Sequence, residues 1–423
     1  ELEASRADAS SKGSAAEAAG AKVSGLEASL SSVRRELEDR VAAHARELAE
    51  RDEAHLRASA ALAAERRELH NTVMELRGNI RVFCRVRPMS EQESGSGAGP
   101  GNEVFRFAGD GSGLEVEDAT RSPPSKRAFS FDAVFDPKAS NERVFAECRP
   151  LARSALDGYN VCVLAYGQTG SGKTHTMQGA GGDPGLYQRL VGEVLRLGAE
   201  AGGASVAVSF VEIYNEQARD LLAEGGPTLD VKLAPDGKGV NVPGLTERPV
   251  AAVEDVEAAL ADGAAARATG ATKLNEHSSR SHAVLTVHVA GPRYRSKVHL
   301  IDLAGSERLS RTDAEGDRLK EAQNINKSLS ALGDVVSALQ RREKHVPYRN
   351  SKLTFLLQDA LGGQAKTLVV VACSPEPASA GETVCSLAFA ERANRVELGA
   401  AKRNAAKGGP SPASSPAKPG GRK

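Results

Sequence analysis

The residues best suited to chemistry stand in one run, Gly167-Gln168-Thr169-Gly170-Ser171-Gly172-Lys173-Thr174, which fits G-x-x-x-x-G-K-[ST]. Glycines there let successive backbone N–H groups turn inward around phosphate oxygens, and a helix opening at the end of the run adds its positive pole. Lys173 would reach the β- and γ-phosphates, and the Thr174 hydroxyl would hold Mg²⁺. The bland alternative is a chance glycine-rich turn. The β-branched, apolar run Val161 to Ala165 just before it reads as a buried parallel strand, and a helical pattern follows. That context favours nucleotide binding.

Two further stretches carry matching chemistry. Lys297 to Gly305 reads as a strand ending in D-x-x-G, where Asp302 would hold the water shell of Mg²⁺ and Gly305 would offer its N–H to a γ-phosphate. Losing that bond on hydrolysis would free the loop behind it. Asn275-Glu276-His277-Ser278-Ser279-Arg280-Ser281-His282 clusters hydroxyls beside an amide, as Mg²⁺ and phosphate contacts require. Arg280 is the natural ionic partner for Glu307. Chemistry alone leaves this run equally readable as a polar surface loop.

These residues need elements to position them. Strand patterns at 80–88, 206–213, 283–290, 297–303 and 367–373 alternate with helical patterns at 141–156, 253–268, 320–342, 351–361 and 382–395, with a short helix expected at 215–222. Such alternation indicates an α/β domain with a central sheet covered on both faces. Ahead of it, Val23, Leu26, Leu30, Val33 and Leu37 alternate by three and four. After a four-residue slip, Val41, Leu48, His55, Leu62, Leu69 and Leu76 continue at sevens, as a coiled coil with a stutter does. The companion positions Ala45, Asp52, Ser59, Arg66 and Val73 are mostly weak, so pairing with a second chain is expected but marginal; a long helix packed on its own domain is the alternative. The expected organisation is therefore a frayed or disordered segment 1–22, a coiled-coil helix 23–78 ended by Gly78, one large domain 79–398, and a basic, disordered tail 399–423.

Composition excludes several classes. Lys+Arg and Asp+Glu balance at 55 each, so overall charge predicts no attraction to nucleic acid or membranes. Five widely spaced cysteines make neither a zinc pattern nor a disulfide framework and read as reduced core residues of a cytosolic or nuclear protein. No apolar run approaches a membrane span, and no signal peptide is evident, although the chain opens without Met.

Four motifs in order, GQTGSGKTHTM (167–177), NEHSSRSH (275–282), DLAGSER (302–308) and HVPYRNSKLT (345–354), together resemble the kinesin motor domain over about residues 79–398. A motor lying after its coiled coil, joined through ELRGNIRVFCRVRP (75–88) and ending in VELGAAKRN (396–404), looks like the minus-end-directed kinesin-14 subfamily. The resemblance implies a P-loop NTPase-type α/β fold with a mostly parallel central sheet, ATP/ADP and Mg²⁺ as ligands, and the microtubule as partner. By position, Arg85, Arg87 and Pro88 would flank the adenine with Tyr166 and His175 nearby. Gly167, Gln168, Thr169, Gly170, Ser171, Gly172, Lys173 and Thr174 would serve the phosphates. Asn275 and Ser278 would approach the γ-phosphate, Ser279 would join Thr174 and Asp302 at Mg²⁺, and the Arg280–Glu307 pair would position the attacking water while Gly305 senses the γ-phosphate. Arg308, Arg311, Arg318, Lys320, Lys327, His345, Arg349 and Lys352 would face acidic tubulin.

The chain departs from the family pattern at Asp313, where a Gly is usual, and at Gly185-Leu186-Tyr187-Gln188-Arg189 in place of G-I-I-P-R. The resulting expectation is an ATP-hydrolysing microtubule motor of the cytoskeleton, dimerised through a homo- or heteromeric coil. A non-motile microtubule cross-linker with an idle ATPase and a GTPase-type switch are the rivals; the second would need an N-K-x-D-type guanine-reading element, which is not found.

Overall fold

The computed structural model describes residues 2–90, 93, 104–120, 123–234, 239–269, 279–291, 294–308, 317–399 and 401–404, giving the backbone alone for 2–12, 269, 317–320 and 322. By its contacts the chain divides into residues 1–70 and 71–423. Helix α1 (Leu2–Leu76) makes up the first unit and runs into the second. It includes residues 2–22, which composition reads as frayed or disordered; their Ala and Glu content is that of a good helix former. The predicted stripe lies open to solvent, with Leu26 and Leu30 both 70% exposed and Val41, Leu48, Leu62 and Leu69 exposed as well. Gly78 ends the helix with φ +87°, its N–H donating to the Glu75 carbonyl. Only a residue without Cβ takes that conformation at little cost.

The second unit is built on a ten-stranded sheet. Its strands are β1 (Ile80–Val86), β2 (Ala133–Phe135), β3 (Asn160–Tyr166), β4 (Ser205–Tyr214), β5 (Gln217–Asp220), β6 (Thr228–Leu229), β7 (Arg248–Val250), β8 (His282–Ala290), β9 (Arg295–Asp302) and β10 (Ala365–Cys373). The order is β6-β5-β4-β8-β9-β3-β10-β1-β2, with β7 also paired to β4. From β9 through β3, β10 and β1 to β2 every pairing is parallel, while β6, β5, β4, β8 and β9 pair antiparallel. The sheet is thus mixed, and the parallel half holds the phosphate loop.

Alternation along β3 feeds two cores. Cys162 and Leu164 join one apolar layer with Leu332 and Val335 of α7 (Asp317–Gln340), Leu353 of α8 (Lys352–Leu356), Leu361 of α9 (Gln358–Leu361) and Leu387 and Phe389 of α10 (Ala380–Asn394). Val161, Val163 and Ala165 point to the other layer, with Val144 of α2 (Asn141–Cys148), Leu151 of α3 (Pro150–Leu156), Met177 of α4 (Lys173–Gln178), Leu190 of α5 (Leu186–Glu200) and Val256 of α6 (Val253–Thr269). Cys84, Cys148, Cys162 and Cys373 are buried thiols, and Cys385 is half-buried. Among the described residues no helix is long and apolar enough to cross a membrane.

Three further expectations change, beside the helical 2–22 and a sheet that is mixed where a mostly parallel one was expected. The helix expected over 141–156 breaks at Arg149, because Pro150 cannot continue it and opens α3 instead. The helix expected at 215–222 is a β-hairpin. Asn215 and Glu216 take φ of 51° and 60°, and Gln217 pairs with Tyr214, as a two-residue turn between twisted strands requires. Within the tail, residues 401–404 are ordered: Tyr159 bridges Arg403, the Asn404 N–H reaches the Gly158 carbonyl at 2.9 Å, and Ala401 is buried. Residues 405–423 lie outside the described set.

Candidate functional site

The loop after β3 is shaped by close approach. A Cβ at Gly167, where φ is 149°, would strike the Ala372 carbonyl of β10, and Gly170 and Gly172 adopt φ of 74° and 97°. Lys173 opens α4 and is buried, with Nζ donating to the carbonyls of Gly167 and Gln168 at 2.9 Å each. Burial lowers its pKa, opposed by the Asp302 and Glu307 carboxylates. Ser171 Oγ is buried in the loop without a hydrogen-bond partner among the described residues.

Beside the loop, the parallel register of β9 on β3 sets Asp302 against Ala165. The Thr174 hydroxyl donates to Asp302 Oδ2 at 2.7 Å. Asp302 Oδ1 is buried without a partner among the described residues, and burial raises the pKa of the carboxyl. A desolvated carboxylate oxygen next to a hydroxyl suits a hard divalent cation, so these two residues fit Mg²⁺. The described residues contain no cluster of His, Cys, Asp and Glu that could hold a metal by itself.

The two other stretches converge on the same place. Glu307 accepts the Thr169 N–H at 2.9 Å and the Thr169 hydroxyl at 2.6 Å. The Gly305 N–H donates to the Ser279 carbonyl at 2.9 Å, and the Ser306 N–H to the Gly167 carbonyl at 3.1 Å. A Cβ at Gly305 would collide with the Glu307 carboxylate and the Thr169 hydroxyl. The expected Arg280–Glu307 pair is not formed. Arg280 is paired with Glu321 of α7 at 2.8 Å, and Glu321 also accepts the Tyr214 hydroxyl at 2.9 Å. Each member of the expected pair thus has a different partner, and forming the pair requires both to let go. Asn275 and Ser278 lie outside the described residues.

Residues expected beside the adenine line a cavity of about 200 Å³, formed by Arg85, Arg87, Pro88, Ser171, Gly172, His175 and Thr176. Arg85 is buried and reaches Asn141 Oδ1 at 2.5 Å, Thr176 Oγ1 at 2.9 Å and the Ala139 carbonyl at 3.1 Å, tying β1 to α2 and α4. Arg87 Nε donates to the Gly170 carbonyl at 2.6 Å, and its guanidinium pairs with Glu93. That pairing holds the Glu93 carboxyl down at about 2. His175, lining the cavity, has its pKa lowered by burial and by Arg85. Tyr166 does not line it. Its ring stacks on Phe389 of α10 with centroids 4.1 Å apart, because the last residue of β3 faces the helix layer there.

Of the expected filament-facing residues, Arg308 is exposed with Nη2 at 2.6 Å from Cys385 Sγ. Lys327 projects exposed from α7, which also carries Arg318 and Lys320. His345 and Arg349 are exposed, and half-buried Lys352 lies 3.4 Å from Asp230. The Tyr348–Asn350 turn and α8 pack on α7, so Lys327, Arg349 and Lys352 stand on adjoining elements. Arg311 and Asp313 lie outside the described residues. Sequence reasoning missed Glu321, Tyr214 and Asn141, for no local pattern marks a residue whose partner is distant in the chain; it also missed Glu93, six residues from Arg87 in a glycine- and serine-rich run that reads as a surface loop.

The kinesin motor domain family model matches residues 85–396. Kinesin-like protein KIN-14J of Oryza sativa subsp. japonica is 48% identical over 81% of this chain and 42% of its own length. Kinesin-like protein KIN-14I of Arabidopsis thaliana is 48% identical over 80% of this chain and 35% of its own. The chain therefore spans less than half the length of these relatives. Among solved structures, the C-terminal motor and motor homology domain of Kar3Vik1, fused to a synthetic heterodimeric coiled coil, superposes with TM-score 0.75 at 36% identity, covering 87% of this chain and 99% of that one.

Proposed function

Because the chain belongs to the kinesin motor domain family, we propose that it is an ATP-driven, minus-end-directed microtubule motor of the kinesin-14 kind. The observation that carries the reading is the meeting of three distant segments at one loop, through Thr174–Asp302, Glu307–Thr169 and Gly305–Ser279. The phosphates of ATP lie along residues 167–174, and the base enters the cavity bounded by Arg87, Pro88 and His175. Thr174 and Asp302, with Ser279, would hold Mg²⁺, and the ion would supply charge neutralisation for the phosphate oxygens. Lys173 exchanges its two carbonyl partners for phosphate oxygens. Gly305 leaves the Ser279 carbonyl to donate to the γ-phosphate, and Arg280 leaves Glu321 to meet Glu307 and orient the water. Asn275 and Ser278 complete the γ-phosphate contacts.

Phosphate release returns these groups to their internal partners and shifts α7, whose surface, with Arg308, Arg311, Arg318, Lys320, Lys327, His345, Arg349 and Lys352, grips acidic tubulin. Such contacts weaken with salt. The coil swings about Gly78-Asn79 in response, and the exposed α1 stripe pairs with a second coil to make a dimer on the microtubule cytoskeleton. The test is ATPase activity with and without microtubules, alongside gliding on polarity-marked filaments. Expected are polymer stimulation and minus-end motion, both absent in Lys173→Ala. Hydrolysis indifferent to polymer sinks the motor reading, and plus-end motion sinks its direction.

A further inference from the structure

His282 is the last residue of the polar run and the first of β8, and it stands behind the phosphate loop rather than in it. It is 2% exposed. Its Nδ1 accepts the Ala304 N–H at 3.0 Å, so in the neutral ring the proton sits on Nε2. Nε2 then donates to Ser328 Oγ of α7 at 2.7 Å, and the Ser328 hydroxyl donates onward to the Ile325 carbonyl at 2.7 Å. Every donor and acceptor in this chain is therefore assigned. The ring stays neutral because burial, with Lys173 and Arg267 nearby, pushes its pKa down to about 3.

The neighbouring residue is clamped as well. Arg267 Nη2 donates to Ser281 Oγ at 2.8 Å, and Arg267 Nε meets the buried Glu212 at 3.0 Å. The backbone carrying the ring is thereby pinned to α6 and β4. Ala304 directly precedes Gly305, whose N–H the Ser279 carbonyl holds. One flat, buried ring thus touches the loop that follows β9 on one edge and α7 on the other.

We propose that His282 is the positioning residue that carries the state of the Gly305 loop to α7. When Gly305 trades the Ser279 carbonyl for another acceptor, Ala304 moves with it. A ring hydrogen-bonded at both nitrogens passes that displacement to Ser328, because releasing either edge leaves a buried polar group unpaired. The inference rests on the reading of residues 302–305 as a phosphate-sensing loop, and it deepens that reading by naming the link from loop to helix.

The test compares the full chain with His282→Asn, which keeps an acceptor near the Nδ1 position and loses the Ser328 bond, with Ser328→Ala, and with Ser328→Thr, which restores a hydroxyl. The primary readout is amide hydrogen exchange along α7 with ADP against a non-hydrolysable ATP analogue. The wild type should show nucleotide-dependent exchange in α7. His282→Asn and Ser328→Ala should lose that difference while nucleotide affinity stays within about twofold and unfolding stays cooperative, and Ser328→Thr should recover it. Microtubule stimulation should fall in parallel by about fivefold or more, the scale of a disrupted coupling. Folded variants that retain the wild-type exchange difference, or a wild-type α7 blind to nucleotide, overturn the relay. A wild type whose α7 responds to nucleotide but whose ATPase ignores microtubules sinks the motor reading and leaves the relay standing.

Discussion

Glu321→Gln probes the latch on Arg280 most directly. The Glu321 carboxylate accepts Arg280 at 2.8 Å and the Tyr214 hydroxyl at 2.9 Å, with side-chain exposures of 12% for Glu321 and 32% for Arg280. A charge-assisted hydrogen bond is worth about 1.5–3 kcal/mol when well shielded. With the guanidinium a third exposed, solvent screening reduces that to ~1–2 kcal/mol. Glutamine keeps the shape and a neutral acceptor, so the substitution should remove ~1 kcal/mol, about fivefold in the ratio of released to latched Arg280. If release toward Glu307 gates hydrolysis, the microtubule-free ATPase rate rises by about that factor. Tyr214→Phe, which loses only the neutral bond to the same carboxylate, should raise it less. The assay is steady-state turnover without polymer, paired with rapid-quench measurement of the hydrolysis step. A Glu321→Gln protein with wild-type melting temperature and nucleotide affinity, but an unchanged or slower hydrolysis step, refutes the latch.

Asp302→Asn should leave the metal-free fold as stable as wild type or more so, since a desolvated carboxylate is gone. It should raise the Mg²⁺ needed for half-maximal turnover by about 30-fold or more, the cost of ~2 kcal/mol for one charged contact; thermal unfolding and Mg²⁺ titration check the two halves. Gly305→Ala should cut turnover by about 100-fold or more through the collision with Glu307 and Thr169, a loss of ~3 kcal/mol in the transition state, while circular dichroism shows the fold retained. Lys366, whose Nζ donates to Asn71 Oδ1 and Ser154 Oγ, has its pKa lowered by burial to about 8 from the ordinary 10.5. The folded state therefore releases this proton more readily than the unfolded one, so unfolding takes up a proton between pH 8 and 10.5. Stability rises with pH across that window, by at most about 1.4 kcal/mol per pH unit. Lys366→Met should flatten that slope in denaturant titrations at stepped pH.

The phosphate loop was readable because its chemistry is contiguous: strand, glycines, Lys173 and Thr174 fall within 14 residues, and the fold keeps them together. Asp302 was readable for a similar reason, as a carboxylate at the end of an apolar run. The Arg280 partnership was not, because charge type names a set of acceptable partners and the three-dimensional arrangement chooses Glu321 among them. Tyr166 was assigned to the nucleoside cavity by position in a motif, yet the register of β3 turns its ring to Phe389. Residues 215–222 carry good helix formers, and pairing of Gln217 to Asp220 with β4 outweighs that propensity. The two-sided core was legible in the continuous apolar run of β3 and in the alternation of strand and helix patterns, whereas the alternating apolar and basic residues of β1 suggested a single buried face and every one of its residues is buried. The antiparallel half of the sheet was not legible either, since strand direction leaves no mark on the pattern of apolar residues.

Strand β3 is flanked by parallel neighbours on both edges, from Val161 against Val298 and Lys366 to Ala165 against Asp302 and Val370. Amides paired on both edges in this way are expected to be among the slowest to exchange, which native-state hydrogen exchange checks. The loop it carries is in effect an anvil, a fixed seat against which Ser306 and Glu307 already rest through Gly167 and Thr169. A rigid seat of this kind would leave the surrounding loops, rather than the strand, to take up any change that ligand binding brings.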